Sequence, residues 1–430
     1  MEKVSPITTA ELAAFVARLG AFAPAADDAE RIDRLALLER AKSGMTAAQA
    51  AETVDFKRSQ LEAQVAAGVP TRDRGKGVNA QVALARRVSP HRAARLVGMA
   101  EALVGEMPHT LAALAAGEIN EWRAMIAVRE TACLTREDRA TADAELADRL
   151  ATMGDRQIEA EFKRIAYRLD PYAFVERQRR AESERNVSTR PAPDVMCYLT
   201  ALLPVKQGIA ALAALKRHAD TKVSEGDERS RGQIMADTLV ERLTGQSVAG
   251  QVPVEVQLVI SAESLAGASD EPAHLQGHGP VPAPWARELV RNSGAAVWIR
   301  RLYTEHGRLV AMEATQRLFP DGLRRFIVAR DQVCRTPWCD APIRHIDHPL
   351  SYEAGGKTAE TNGQGLCVTC NHAKEGHRWK TRAGPSGAGD RVITTTPTGH
   401  RYTSRPPTRD DWAAPSLEAY FNRMVLRFVA

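Results

Sequence analysis

The chain has 430 residues, a length that fits about two or three domains of ordinary size. Hydrophobic residues make up 44% and charged residues 26%, a balance typical of a soluble globular protein. No apolar run approaches the roughly 20 residues that span a bilayer, so we expect no membrane partner. The net charge of +5 permits a nucleic-acid partner without requiring one.

The N-terminal residues carry acidic side chains and no long apolar segment, so they do not resemble a signal peptide. We therefore expect a cytoplasmic protein in a reducing compartment, where clustered cysteines are more often metal ligands than disulfides. Two of the six cysteines, Cys133 and Cys197, stand alone and are expected to be small buried apolar residues.

Residues 1–186 are predicted to form a helical region. Thr8 and Thr135 are each followed three residues later by an acidic residue, a pattern that resembles a capping box. Ser89-Pro90 matches an N-cap followed by proline at the first helical position. Apolar residues at three-and-four spacing support amphipathic helices throughout this region.

Helix and strand patterns mix over residues 187–320, which we interpret as a mixed α/β continuation. The segment "APDVMCYLTALLP" predicts a strand or strand pair, and a helix is expected to end at Gly245. Alternating β-branched residues predict a strand over 252–261, and a later hairpin is expected to turn at Gly307.

The remaining residues divide into a short domain over 321–383 and a Thr/Pro-rich tail over 384–430. The tail is expected to contain a hairpin that turns at Pro397 to Gly399. Residues 334–409 carry 11 Lys/Arg and six Asp/Glu, a net charge of +5 that equals the charge of the whole chain. Positive charge concentrated in this way is expected of a region that contacts phosphate.

Two cysteine pairs at knuckle spacing lie in this region: Cys334-x4-Cys339 and Cys367-x2-Cys370. Four thiolates complete the tetrahedral coordination of Zn²⁺ and leave no open position, so we predict a structural zinc site. Its binding energy would stabilise a segment too short and polar to build a large core. Two disulfides or an iron–sulfur cluster are the alternatives.

The segment between and after the two pairs carries further polar and turn residues: Asp347-His348, Gly355-Gly356, Asn362 and Asn371. In this order, with the knuckles around them, the residues from about Arg330 to Trp379 resemble the HNH endonuclease family of the zinc-knuckle type. The resemblance implies a ββα-metal fold and hydrolysis of phosphodiester bonds.

The resemblance also implies roles for individual residues. His348 takes the position of the general base, and imidazole suits that task near neutral pH. Asp347 and Asn371 take the positions that bind a catalytic Mg²⁺ or Mn²⁺ ion through hard oxygen ligands. Asn362 takes the catalytic-loop position whose side chain ties down the segment carrying the histidine.

Two further residues are candidates for nucleic-acid contact, Lys374 and Arg378, although Lys374 also fits a solvated lysine. Each of the other residues has a structural interpretation when taken alone, for example Asn371 as a helix cap. One geometric condition applies to Asp347 and His348: neighbours on a regular strand point to opposite faces, so the strand must be irregular there.

The region before the knuckles resembles the helical domain of unknown function that commonly precedes an HNH domain in actinobacterial proteins. The stretches "VMCYLTALLPVKQGIAALAAL", "DERSRGQIMADTLVERLTG" and "WIRRLYTEHGRLVAM" carry this resemblance. It supports a two-part architecture and implies nothing about substrate.

We therefore predict a mainly α chain with a small α+β part: a helical N-terminal region followed by a zinc-stapled ββα-metal HNH domain. The predicted activity is metal-dependent endonucleolytic hydrolysis of DNA. One alternative is a zinc-stapled module that binds nucleic acid without cutting it, and another is a regulatory or interaction protein that acts through its helical region. A homo-oligomer formed through that region is left open.

Overall fold

The computed structural model describes residues 6–249, 258–292, 304–305, 308–309, 318–384 and 391–407, and every structural statement concerns these residues. Helices dominate them, and the strands form sheets of only two or three members. The prediction of a mainly helical chain with a small α+β part is confirmed. Within the described ranges, no helix combines the length and apolarity that crossing a membrane requires.

The described helices are α1 (Thr9–Arg18), α2 (Asp28–Ala66), α3 (Val78–Arg86), α4 (Pro90–Glu106), α5 (Pro108–Ala116), α6 (Glu121–Glu130), α7 (Arg136–Leu146), α8 (Asp155–Leu169), α9 (Pro171–Ser183), α10 (Val205–Ser224), α11 (Arg231–Thr244), α12 (Ala262–Ala266), α13 (Ala283–Asn292), α14 (Asp321–Asp331) and α15 (Val368–Lys374). The described strands are β1 (Asn186–Ala192), β2 (Met196–Leu202), β3 (Leu258–Val259), β4 (Ala273–Leu275), β5 (Gly279–Val281), β6 (Thr304–Glu305), β7 (Arg308–Leu309), β8 (His345–Asp347), β9 (Gln364–Leu366), β10 (Lys380–Ala383), β11 (Val392–Thr395) and β12 (Arg401–Ser404).

Contacts between Cα atoms group the chain into two compact units. The first comprises Met1–Phe56 and Leu96–Pro171, and the second comprises Lys57–Arg95 and Tyr172–Ala430. A segment from the N-terminal part of the sequence therefore belongs to the same unit as the cysteine-rich region. The four-part division drawn from the sequence is not tested by this grouping and stays a prediction.

The first unit packs α5 to α8 around a buried apolar core. Phe162 is fully buried there, as are Leu103, Leu114 and Ile158. The expected N-caps are present: the Thr8 side chain accepts from Glu11 N at the start of α1, and the Thr135 side chain accepts from Asp138 N at the start of α7. Local hydrogen-bonding chemistry therefore begins these helices where the sequence predicts.

In the middle of the second unit, strands appear between the helices, as the sequence predicts for the residues after 186. β1 and β2 form an antiparallel hairpin, and α11 ends at Gly245, whose φ of +72° suits a left-handed cap. Of the strand predicted over 252–261, only Leu258–Val259 is described as strand, and the turn residue Gly307 lies outside the described residues. The prediction that the two single cysteines are buried is wrong, since Cys197 is exposed on β2 and Cys133 is half-buried.

The C-terminal part of the second unit, which we call the zinc module (residues 318–407 as described), holds the site. β8 pairs antiparallel with β9, and α15 follows β9 after one residue. Ile346 of β8 packs on the buried cluster of Phe319, Leu323, Phe326 and Ile327, which belongs mainly to α14. A ββα arrangement is therefore present at the predicted position.

The tail adds a three-stranded antiparallel sheet in the order β10-β11-β12. The predicted hairpin between β11 and β12 is confirmed, with Gly399 in the turn at φ +87°. The third strand, β10, was not predicted from the sequence; it pairs with β11 from Lys380↔Thr395 to Ala383↔Val392. A four-residue strand with alternating burial gives little signal before its partner is known.

The zinc module rests on the segment around α3. A Cβ atom placed on Gly77 would lie 2.3 Å from Nε1 of Trp379, so only glycine allows the indole to approach this closely. An apolar cavity of about 30 Å³, lined among others by Leu84, Cys370 and Trp379, separates the two surfaces and has room for about one water molecule. The zinc module and the α3 segment therefore share one packed region.

Candidate functional site

The four clustered cysteines converge in the zinc module. All are buried, and their sulfur atoms lie within 4.8 Å of one another. The Sγ of Cys339 lies 3.7 Å from that of Cys367 and 3.6 Å from that of Cys370. A regular tetrahedron with Zn–S bonds of about 2.3 Å has edges of about 3.8 Å. The cluster therefore fits a single tetrahedral ion such as zinc.

Local backbone geometry holds the two cysteine pairs in this arrangement. In the first pair, Cys334 N donates to Ala341 O at 2.9 Å, while Trp338 and Asp340 adopt left-handed conformations that close the loop. In the second pair, Cys367 is the N-cap of α15, and its sulfur accepts from Cys370 N at 3.4 Å. Backbone geometry alone therefore directs the sulfur atoms of both pairs toward one another.

The thiols also perturb one another electrostatically. Hydrogen bonds from Cys334, then Cys339 and Cys370, hold the pKa of the Cys367 thiol well below its ordinary value. Hydrogen bonding with Cys334 and the other sulfurs raises the pKa of Cys370, and burial adds to that rise. One cysteine of the cluster thus favours the thiolate while another favours the thiol. A divalent cation bound by all four sulfur atoms would stabilise the thiolate form of each.

Asp347 and His348 lie where β8 ends. Asp347 is the last strand residue, and His348 follows it outside the strand, so the alternation of a regular strand does not separate the two. Lys374 Nζ donates to Asp347 Oδ2 at 2.5 Å and to the carbonyl oxygen of His348 at 2.8 Å. Gln364, opposite Asp347 on β9, donates to the same carboxylate oxygen at 3.0 Å.

The His348 ring is positioned on two sides. Its Nε2 lies 3.0 Å from Oγ1 of the buried Thr358, and its centroid lies 4.3 Å from that of Phe319. Tyr352 approaches edge-on, with centroids 6.1 Å apart. The contacts with Thr358 and Phe319 restrict the rotation of the imidazole ring.

Asn362 joins the two ends of the loop that follows His348. Its Oδ1 accepts from Leu350 N at 3.0 Å, and its Nδ2 donates to Leu350 O and Lys357 O, both at 2.9 Å. A Cβ on Gly356 would lie 2.0 Å from Leu350 O and 2.6 Å from Asn362 Nδ2. The Gly-Gly pair of the sequence is therefore required sterically as well as for the turn.

The remaining predicted residues lie on or just after α15. Asn371 is half-buried one turn before Lys374, and residues three apart share a helix face, so Asn371 lies on the face that reaches Asp347. Lys374 is largely buried and paired with Asp347, so the solvated-lysine interpretation is wrong. Arg378 is exposed beyond the helix end, in a left-handed conformation at φ +62°.

A buried charge network beside the site was missed by the sequence analysis. Asp331 is fully buried and accepts from Arg330 Nε, Arg335 Nη1 and the backbone N of Gly365, at 2.7 to 2.8 Å. Arg330 also donates to Glu360 O and Gly363 O, and Arg335 to Ser404 O. Since α14 ends at Asp331 and Arg335 lies in the following loop, helical spacing does not predict this pair. The network links α14, the first cysteine pair, β9 and β12.

Comparison with known proteins finds one family model and several relatives. The model described as "Domain of unknown function (DUF222)" matches residues 35–331. Uncharacterized protein Rv3776 of Mycobacterium tuberculosis is 35% identical over 141 residues, which cover 32% of this chain and 25% of the relative. Uncharacterized protein Rv2100 of the same organism is 30% identical over 207 residues, 47% of this chain and 33% of the relative.

The matches thus span a quarter to a third of the length of these curated relatives. No HNH family model matches the chain. No solved structure matches it either. The geometry of the zinc module is therefore the basis for its functional interpretation.

Proposed function

The chain belongs to the DUF222 family, and we propose that its zinc module is a metal-dependent endonuclease of the HNH type that hydrolyses phosphodiester bonds in DNA. The observation that carries this proposal is the end of β8. There Asp347, the last residue of the strand, is followed directly by His348 outside the strand, and Lys374 of α15 donates to the Asp347 carboxylate. Two of the four clustered cysteines, Cys367 and Cys370, lie at the start of that helix.

His348 acts as the general base in this proposal. An imidazole takes a proton from water near neutral pH, which produces the nucleophile that attacks phosphorus. The Thr358 hydroxyl contacts Nε2 at 3.0 Å and helps to hold the ring in place for this step. The P–O3′ bond then breaks, and a solvent water molecule protonates the leaving oxygen, which gives a 5′ phosphate and a 3′ hydroxyl.

Asp347 and Asn371 are assigned to hold a divalent ion. Carboxylate and amide oxygens are ligands that Mg²⁺ and Mn²⁺ prefer, and Gln364 orients the Asp347 carboxylate from the neighbouring strand. When bound, such an ion supplies electrostatic stabilisation of the pentavalent phosphate and the leaving 3′ oxygen. Asn362 keeps the loop after His348 closed, so that the imidazole stays in place.

The test is plasmid cleavage by the purified full chain, with Mg²⁺ or Mn²⁺ and without added divalent ion. We expect nicking or linearisation by the wild type only with added metal, and loss of activity by roughly 100-fold or more in His348→Ala. His345→Ala is the matched control, because His345 is exposed and lies three residues away on the same chain segment. Equal activity in wild type and His348→Ala would refute the assignment of the base.

One observation favours a second function, a zinc-stapled module that binds nucleic acid without cutting it. The Lys374 ammonium lies against the Asp347 oxygen that a catalytic ion would need. Under this alternative the protein binds duplex DNA equally well with and without Mg²⁺, and no plasmid is cut at any metal concentration. Cleavage that depends on His348 excludes it.

A further inference from the structure

The outer face of the β10-β11-β12 sheet carries an uninterrupted set of positive charges. Along β10 and β12 the burial pattern alternates, so Lys380, Arg382 and Arg401 point to the exposed side. Lys380 and Arg401 both pair with Thr395 of the central strand, which places the two cations in one row across the sheet. Arg405 continues the alternation beyond β12 and is also exposed.

No carboxylate neutralises this face within the described residues. Residues 376–384 and 391–407 contain six Lys/Arg and no Asp or Glu, and no ion pair involves any of the six. Some exposed cations of the helices instead pair with neighbouring acids, as Lys42 does with Glu39 and Arg179 with Glu176. The cations of the sheet face are therefore available to a negatively charged partner.

The opposite face of the sheet packs against the candidate site. Thr381 Oγ1 donates to the carbonyl of Pro349, the residue after His348, at 2.8 Å. On β12, Tyr402 contacts Trp338 of the first cysteine pair edge-on at 6.0 Å, and Ser404 O accepts from Arg335. The sheet therefore contacts both the loop that follows His348 and the segment of the first cysteine pair.

We propose that this face, defined by Lys380, Arg382, Arg401 and Arg405, binds the phosphate backbone of a nucleic-acid duplex without reading its sequence. Cations interspersed with the hydroxyl groups of Thr395 and Thr403 suit phosphate oxygens, and the large apolar side chain on this face, Ile393 of the central strand, is half-buried between Arg382 and Thr403. The inference deepens the proposed function, since it supplies the surface that retains DNA beside the site.

The experiment compares wild type with the triple variant Lys380→Gln, Arg382→Gln and Arg401→Gln. Binding to a 30-base-pair duplex of arbitrary sequence is measured without added divalent ion, over a range of salt concentrations. Each lost phosphate contact lowers the salt slope by about 0.9, so we expect the slope to fall by about 2.7 and affinity at about 0.1 M salt to fall roughly tenfold or more.

The control is a second triple variant with the same loss of net charge, Lys42→Gln, Arg179→Gln and Lys222→Gln. These cations are exposed and ion-paired on helices, so we expect its DNA binding to stay close to that of the wild type. Equal losses in both variants, or no loss in the sheet variant, would overturn the proposal. So would competition by polyglutamate as strong as that by DNA, because the partner would then be any polyanion.

Both variants alter exposed side chains, and unchanged zinc content and thermal melting verify that they fold. A further variant, Arg382→Lys with Arg401→Lys, keeps the charge and should retain binding. Because no cleavage is measured, this result is separate from that of the endonuclease test. If the protein binds DNA through the sheet but never cuts it, this inference is supported and the proposed endonuclease activity is refuted.

Discussion

At the scale of single residues, the candidate site contains polar atoms that accept hydrogen bonds from more than one side chain. Asp347 is the clearest case, because its Oδ2 accepts from both Lys374 and Gln364. The lysine side chain is 13% exposed and the aspartate 17%, so water screens this pair only weakly. A cation at this carboxylate opposes a second cation, so in the proposed function Lys374 would weaken the binding of a divalent ion at Asp347.

Replacement of Lys374 by glutamine is expected to tighten Mn²⁺ binding roughly tenfold, because it removes a unit positive charge next to the ligand oxygen. Isothermal titration of the zinc-loaded full chain measures this affinity without DNA. Lys380→Gln is the matched control, since it removes the same charge from an exposed strand position. Weaker binding in Lys374→Gln would mean that the lysine orients Asp347 and does not compete with the ion.

Asn362 provides a second prediction at this scale. Asn362→Ala removes three hydrogen bonds to Leu350 and Lys357, an expected loss of about 1–3 kcal/mol in local stability. The backbone amides of residues 350–357 should therefore exchange with solvent roughly 10- to 100-fold faster. Hydrogen–deuterium exchange followed by mass spectrometry measures this rate. The same segment in Asn371→Ala should exchange as in wild type, and acceleration in both variants would contradict this role for Asn362.

At the scale of elements, α15 connects the cysteine cluster to the polar residues at the end of β8. It has seven residues, too few for a helix to be stable alone in water. Its N-cap is Cys367 and its first turn contains Cys370, so coordination by the cysteine cluster fixes one end. The other end reaches Asp347 through Lys374. Loss of the metal should therefore displace the polar site as well.

Cys367→Ser tests this dependence. We expect zinc content to fall from about one ion per chain to well below that, and amides of 334–374 to lose protection from exchange. Cys197→Ser is the control, because Cys197 is exposed on a hairpin outside the zinc module. Zinc retention should also decrease as pH falls, since the ligands must be thiolates. Full zinc content in Cys367→Ser would exclude the four-cysteine site.

At the scale of the whole molecule, the second unit is built from segments far apart in sequence. The α3 segment meets the zinc module through Gly77 and Trp379, and Gln81 accepts from Thr398 of the tail hairpin at 3.1 Å. Arg87 lies over the Trp338 ring at 5.8 Å. Part of the region matched by the DUF222 model thus packs against the zinc module, so the two regions of the sequence are not independent in folding.

The contribution of the contact between Gly77 and Trp379 to stability can be measured with Gly77→Ala, with Gly245→Ala as the control. Gly77 and Gly245 have left-handed φ values of +81° and +72°, so alanine should lower stability at either position by about 1–2 kcal/mol. Only at Gly77 would the added Cβ meet Trp379. The melting temperature of the zinc-loaded chain should therefore be lowered by several degrees more in Gly77→Ala than in Gly245→Ala. Equal decreases would show that the indole contact contributes little.

The elements that the sequence predicts correctly depend on local chemistry. Thr8 and Thr135 begin helices because their hydroxyl groups accept nearby backbone N–H groups, and Gly245 ends one because glycine tolerates a positive φ. The clustering of Cys334, Cys339, Cys367 and Cys370 was also predicted from spacing alone and is confirmed. Cys197 was predicted wrongly, because burial of a single apolar residue depends on neighbours that its own strand does not specify.

The sequence alone determined that this chain is mainly helical and that it carries two cysteine pairs around an Asp-His-Asn set. Side-chain chemistry and short-range spacing carry that information. Only the tertiary structure decided three further points: that β8 ends before His348, that Lys374 pairs with Asp347, and that the tail sheet turns its cations outward. These depend on contacts between residues 26 or more positions apart, or on strand register, which no single segment specifies.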